Sequence, residues 1–272
     1  MDYYHGKVAL VTGSASGLGR ALAGSLCRRG ATVVCADIDM DGAEKTVSLV
    51  GQSGGAAEAV RLDVTREDEV NRIVDETAAR HGRLDLMFNN AGVGVGGEFR
   101  DMTTDHWRRI VEVNLWGVIY GTAAAYRVMR RQGFGAIVNT ASMAGLVPVP
   151  ALSAYATTKH AIVGLSVSLA PEATDLGVRV HVVCPGGIKT PLFENVEVLG
   201  LRDKNALMNF PFLMDVDKAA AKILLGVKKN RRVIVFPASS TLLWYVYRLF
   251  PAAVAPFSLK MIREFRKARH DD

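Results

Sequence analysis

The chain has 272 residues, 49% of them hydrophobic and 22% charged, with a formal net charge of +6. Such a chain has the material for one large α/β domain with a proper core, and is not a disordered or low-complexity polymer. Much of the positive charge lies near the C-terminus with no aromatic–basic interleaving and no nucleic-acid motif, so no nucleic-acid partner is expected.

The N-terminus leads almost at once into an apolar strand over Val8–Thr12, with no charged n-region, apolar h-region or cleavage site. Further strand-like runs are predicted at Thr32–Ala36, Ala57–Leu62, Leu84–Phe88, Gly135–Thr140, Val178–Cys184 and Arg232–Phe236. Helix-period segments are predicted between them, at Gly17–Arg29, Asp41–Gly51, Arg66–His81, Thr104–Gln132, Ala154–Leu176 and Val216–Lys229. Continuous β-branched strands suggest burial on both faces, and the alternation points to a doubly wound parallel sheet. Residues 1–237 are read as one such domain and 238–272 as an apolar and basic helical extension. Cys27, Cys35 and Cys184 have no metal spacing and read as reduced, buried thiols of a cytosolic-type compartment. His81, His106, His160 and His181 show no ligand spacing either, so no metal site is expected.

The first strand runs into Thr12-Gly13-Ser14-Ala15-Ser16-Gly17-Leu18-Gly19 and then a helix. Glycines there allow a tight turn and let backbone N–H groups approach a pyrophosphate at a helix N-terminus. The second strand ends at Asp37, whose carboxylate suits the ribose hydroxyls of an adenosine and would repel a 2′-phosphate. No Lys or Arg occupies the loop before Gly19 or the positions Ile38 to Met40, and Arg20 opens the helix. NAD is therefore favoured over NADP.

Tyr155 and Lys159 stand four residues apart in a helical stretch, thirteen residues after Ser142. On a helix that spacing puts both side chains on one face. A nearby ammonium favours the phenolate, so Lys159 in a partly desolvated site, helped by a cationic cofactor ring, is expected to lower the pKa of Tyr155 toward neutrality, as acid–base catalysis requires. Ser142 ends a predicted buried strand, at the sheet edge where open α/β folds bind ligands.

These residues resemble the short-chain dehydrogenase/reductase family. The resemblance runs over roughly residues 6–237 and rests on the glycine turn at 12–19, Asp63-Val64, Asn89-Asn90-Ala91-Gly92, Asn114, Ser142, Tyr155–Lys159 and Pro185-Gly186. It implies a single-domain Rossmann fold, a seven-stranded sheet with helices on both faces. By the same resemblance, Gly13, Ser16, Gly17, Leu18 and Gly19 cradle the phosphates, and Asp63 and Val64 hold the adenine beside Asp37 and Ile38. Asn90, Ala91 and Gly92 run past the ribose, with Asn89 structural. Tyr155 is then the general acid–base and Lys159 holds the nicotinamide ribose. Ser142 bonds the substrate oxygen and Asn114 holds a relay water, while Pro185, Gly186, Ile188 and Thr190 pack on the nicotinamide. The activity implied is NAD-dependent oxidation of an alcohol or its reverse; an NADPH-dependent ketone reductase and a non-catalytic dinucleotide binder are the alternatives left open. A homotetramer or homodimer, joined through the helices beginning near Thr104 and Ala154, is implied as well.

By the same resemblance, the segment downstream of Thr190, through Leu192, Phe193 and Phe210 to Met214, forms a lid over the substrate, and its residues here are apolar. With Leu152 and the wall Gly145-Leu146-Val147-Pro148-Val149-Pro150, it suits a lipophilic alcohol such as a steroid, a retinoid or a long-chain alcohol. In the tail, Leu242–Tyr247 and Leu249-Phe250 are apolar, Pro251 and Pro256 are expected to break the run, and Phe257, Met261, Ile262 and Phe265 share one helical side. Lys260, Arg263, Arg266, Lys267 and Arg269 add charge. The tail is too short and broken for a membrane span. Peripheral contact with anionic lipid and packing on the protein's own domain or a subunit interface are both consistent with it.

Overall fold

The computed structural model describes residues 2–52, 54–191, 196–201 and 213–269. Among the described residues nine strands form: β1 (Val8–Thr12), β2 (Thr32–Asp37), β3 (Ala56–Arg61), β4 (Leu86–Asn89), β5 (Val95–Gly96), β6 (Gly135–Thr140), β7 (Val178–Pro185), β8 (Glu197–Val198) and β9 (Val233–Phe236). Seven of them lie in one sheet in the order β3-β2-β1-β4-β6-β7-β9, and each pairing is parallel. β5 and β8 make a separate parallel pair of two residues each, too short to leave a periodic signal in sequence.

The strand composition follows from burial. Every residue of Val8–Thr12 is buried, as a strand covered on both faces requires. On one face, α1 (Gly17–Cys27) and α2 (Met40–Gly51) pack with a later helix, Val216–Lys228, around Leu22, Leu26, Val33, Phe88 and Leu224. On the other, α3 (Glu67–His81) packs with helices over Gly117–Gln132 and Ser153–Thr174 around Leu10, Ile73, Met87, Ile137 and Val180. Each fully buried aliphatic chain of this kind contributes about 1.5–3 kcal/mol. α3 shows why its ends fall where they do: Glu67, Asp68 and Glu69 face the positive end of the dipole, Arg80 and His81 the negative end, and Gly82 closes it at φ +70°.

The helix expected over 104–132 is not continuous. It divides into α4 (Thr104–Val111), a π-helical turn at Glu112–Trp116, and α5 (Gly117–Gln132). The wider turn carries Asn114, which is fully buried and exchanges two hydrogen bonds with the Val93 backbone. α6 (Ser153–Thr174) and α7 (Val216–Lys228) complete the layers.

The strand order reverses between β1 and β4, the neighbours on either side of the point where the chain crosses the sheet. A crevice opens there outside the carboxyl ends of the strands.

Two helices follow β9: α8 (Ala238–Leu249) and α9 (Pro251–Lys267), whose axes turn by 117°. Among the described residues no single helix is long and apolar enough to cross a membrane. Pro251 starts α9, where its missing N–H costs nothing. Pro256, contrary to the expected break, is carried inside α9, with its ring exposed and Val254 and Phe265 of the same helix buried against the body. Phe257 faces solvent rather than sharing the buried side with Phe265. The end of α9 is pinned to the loop after β5: Arg266 Nη2 lies 2.6 Å from Glu98 Oε1, and Arg269 binds both Glu98 and Asp101.

Candidate active site

The glycine turn builds one end of the crevice. Gly13 and Gly17 have φ of +69° and +49°, which a side chain would resist. A Cβ on Gly19 would come within 2.0 Å of Gly13 O, so α1 can start this close to the turn only with glycine there. No side chain caps the N-terminus of α1 and its first turn has no acid, which leaves its N–H groups available to an anion. Thr12 Oγ1 accepts from the N–H groups of Asn90 and Ala91 at 3.0 and 3.1 Å, tying the ends of β1 and β4 together.

Asp37 braces this turn. Its Oδ2 accepts from Ala15 N–H at 2.8 Å and its Oδ1 from Asp39 N–H at 3.0 Å. Arg20, the cation nearest the loop in sequence, is already engaged: it donates to Ala15 O, to Thr46 Oγ1 at 2.9 Å and to Gly42 O at 3.4 Å. It therefore holds the turn against α2. The Thr46 partner lies 26 residues away and carries no motif, so this use of Arg20 leaves no signal in sequence.

At the other end, α6 presents Tyr155 in its first turn and Lys159 one turn later. Lys159 is buried, and its Nζ donates to Thr140 O at 2.9 Å and lies 5.4 Å from the centre of the Tyr155 ring. Burial pushes the Tyr155 phenol up to about 12, partly offset by a hydrogen bond with Ser142. Burial also pushes Lys159 down to about 8. The expected lowering of Tyr155 is thus not found in the protein alone, where burial penalises the phenolate. Ser142 follows β6 by two residues and caps the 3₁₀ turn Met143–Gly145, its Oγ accepting from Ala144 N–H at 3.1 Å. Gly145 lets α6 approach, since a Cβ there would stand 2.5 Å from Lys159 O.

The two ends share one cavity of about 490 Å³. Its wall includes Gly13, Ser16, Gly17, Leu18, Gly19, Asp37, Ile38, Asp63 and Val64 at one side, and Asn90, Ala91 and Gly92 between. Ser142, Tyr155, Lys159, Pro185, Gly186, Ile188 and Thr190 complete it. Asn114 sits behind Gly92 with its carboxamide occupied by Val93, and does not line the cavity. Leu152 precedes α6 and is half-buried, but it too is outside the wall. Leu192, Phe193 and Phe210 lie outside the described residues. The glycine cradle, the uncapped helix end and Asp37 fit a dinucleotide.

Cys184 was not singled out for this site. It is buried at the end of β7 beside Lys159, and burial raises its thiol to about 12 while the Lys159 charge pulls the other way. Its place depends on β7 lying next to β6, which spacing along the chain does not reveal.

A family model described as short chain dehydrogenase matches residues 7–198. The chain is 38% identical to cyclohexanol dehydrogenase of Acinetobacter sp. (strain SE19) over 202 residues, 73% of this chain and 80% of that protein. It is 38% identical to levodione reductase of Leifsonia aquatica over 192 residues, 70% of this chain and 72% of that one. Among solved structures, a short chain dehydrogenase/reductase from Burkholderia phymatum in complex with NAD aligns with a TM-score of 0.83 at 28% identity, covering 91% of this chain and 95% of that one.

Proposed function

The chain belongs to the short-chain dehydrogenase/reductase family and is an oxidoreductase of alcohol or ketone groups; from that premise we propose that it oxidises a lipophilic alcohol with NAD, using Tyr155 as general base. The observation that carries this reading is that Ser142, Tyr155 and Lys159 share one cavity with the glycine turn. A bound nicotinamide supplies the hydride acceptor.

The chain's own groups handle the oxygen. Ser142, which draws the Tyr155 phenol downward, and Tyr155 itself hold the substrate hydroxyl between them. Tyr155 as phenolate takes the hydroxyl proton in oxidation and returns it in reduction. Lys159, cationic below about 8, steadies the phenolate and passes the proton on toward Asn114 and solvent. Because burial holds the Tyr155 proton tightly, oxidation should speed up as pH rises and reduction should slow.

Support for NAD comes from the charges of the wall. Asp37, Asp39 and Asp63 line it, and Lys159 is its one cation among the described residues. A 2′-phosphate would meet carboxylates without a counter-charge. Support for a lipophilic substrate comes from the apolar Val93, Val113, Ala141 and Ile188 of the wall, and from the buried Leu146 and Val147 behind Ser142. The relatives named for cyclohexanol and levodione point the same way, and cyclic alcohols head the list of substrates to test. A homo-oligomer through α5 and α6 is supported by the exposed apolar residues Trp116, just before α5, and Val167 on α6.

The test is Tyr155→Phe with NAD and cyclohexanol. The variant should retain NAD binding and lose about 10²–10⁴-fold in turnover, the usual scale of a general base. Turnover equal to the parent would refute the mechanism.

A further inference from the structure

Helix α8 carries two apolar faces. Trp244 and Tyr247 turn inward onto the cluster that holds Leu146, Val147 and Cys184. Leu242, Tyr245 and Leu249 turn outward at helical spacing, and Leu242 and Leu249 are 66% and 68% exposed. At the corner Phe250 is 66% exposed, and Phe257 at 64% continues the exposure into α9. A surface helix ordinarily keeps one apolar stripe and turns it to the core. A second stripe turned to solvent marks a surface that something covers.

The charge beside it says what. Arg248 lies within the outward stripe, and the second half of α9 exposes Lys260 and Arg263. Neither these two nor Arg248 makes an ion pair among the described residues, whereas Lys267 is paired with Glu264. We propose that the α8–α9 corner docks the protein on the surface of an anionic bilayer. The apolar side chains then sit at the acyl boundary and the cations among the headgroups. A second copy of the chain fits worse. It would bring a second set of the same cations to the contact, whereas anionic headgroups neutralise them.

Length and composition alone would let the bent pair enter a bilayer together, but its inner face is packed on the body, so in this proposal the pair lies along the surface rather than across it. Its pose is held by the body of the protein. Val254 and Phe265 are buried, and Arg266 and Arg269 are fastened to Glu98 and Asp101. The outward stripe therefore stays outward. Docking does not depend on which alcohol the cavity takes.

The experiment is sedimentation of the full chain with vesicles of phosphatidylcholine, and with vesicles of phosphatidylcholine and phosphatidylglycerol in equal parts. Binding should be about tenfold or more stronger to the mixed vesicles and should weaken with salt. Leu249→Asp with Phe250→Asp should abolish it, and Lys260→Glu with Arg263→Glu should remove the preference for phosphatidylglycerol, both with NAD binding unchanged. Failure to sediment with either vesicle, or equal binding to both, would overturn the proposal. So would a variant that alters the oligomeric mass while the parent ignores vesicles, which would assign the face to a second copy.

Discussion

Burial acts on Tyr155 and Lys159 in opposite directions, raising the phenol to about 12 and lowering the ammonium to about 8. Folded Lys159 titrates below its ordinary 10.5, so between about 8 and 10.5 the unfolded chain holds the extra proton. By linkage this group makes the fold more stable as pH rises through that window, and it disfavours the fold below it. Urea midpoints measured near both ends of the window should rise less with pH in Lys159→Met than in the parent; equal slopes would mean that Lys159 is not perturbed. At the other end of the cavity, the proposed preference for NAD rests on Asp37. Asp37→Ala removes a charged acceptor, a loss of about 1.5–3 kcal/mol for hydrogen bonds of this kind. The ratio of NAD to NADP affinity should fall at least about tenfold, and an unchanged ratio would take the discrimination away from Asp37.

At the scale of elements, the site depends on how closely α6 approaches the turn after β6. Gly145→Ala would drive a Cβ toward Lys159 O, now 2.5 Å from where that atom would stand. The variant should lose about 1–3 kcal/mol of stability, as overpacked sites do. Its kcat should fall more than its KM rises, because Tyr155 and Lys159 shift together. Parental stability and kcat would show that α6 has room to give. The same scale separates what sequence reveals from what it hides. The glycine turn with its helix, and Tyr155 with Lys159, were legible because each lies within a single element at a spacing that has chemical meaning. The π-turn at Asn114 was not, because the partner its side chain meets there, the Val93 backbone, is 21 residues away. Nor was the buried ladder in which Asn89 donates to Asn139 at 2.8 Å and Asn139 to Ser166 at 3.1 Å, since it joins two strands and a helix that only the fold brings together.

For the whole molecule, the alternation of strands and helices foretold the parallel sheet and its two helical layers. Strand order put the crevice between β1 and β4, and with it both halves of the cavity. The tail was legible in composition but not in placement. Its apolar and basic residues could be read, whereas the fastening of Arg266 and Arg269 to Glu98 and Asp101 spans some 168 residues. The i, i+4 spacing shows the ammonium beside Tyr155, whereas the burial that raises the phenol in the protein alone is a property of the fold. The central claim is NAD-linked oxidation of a lipophilic alcohol, and the most direct measurement follows formation of the reduced nicotinamide by absorbance. The purified protein is supplied with NAD or NADP and a panel of cyclic and long-chain alcohols across a range of pH. Turnover with NAD should stand well above that with NADP and increase with pH. Measurable NAD binding without turnover of any alcohol, or a preference for NADP, would contradict it.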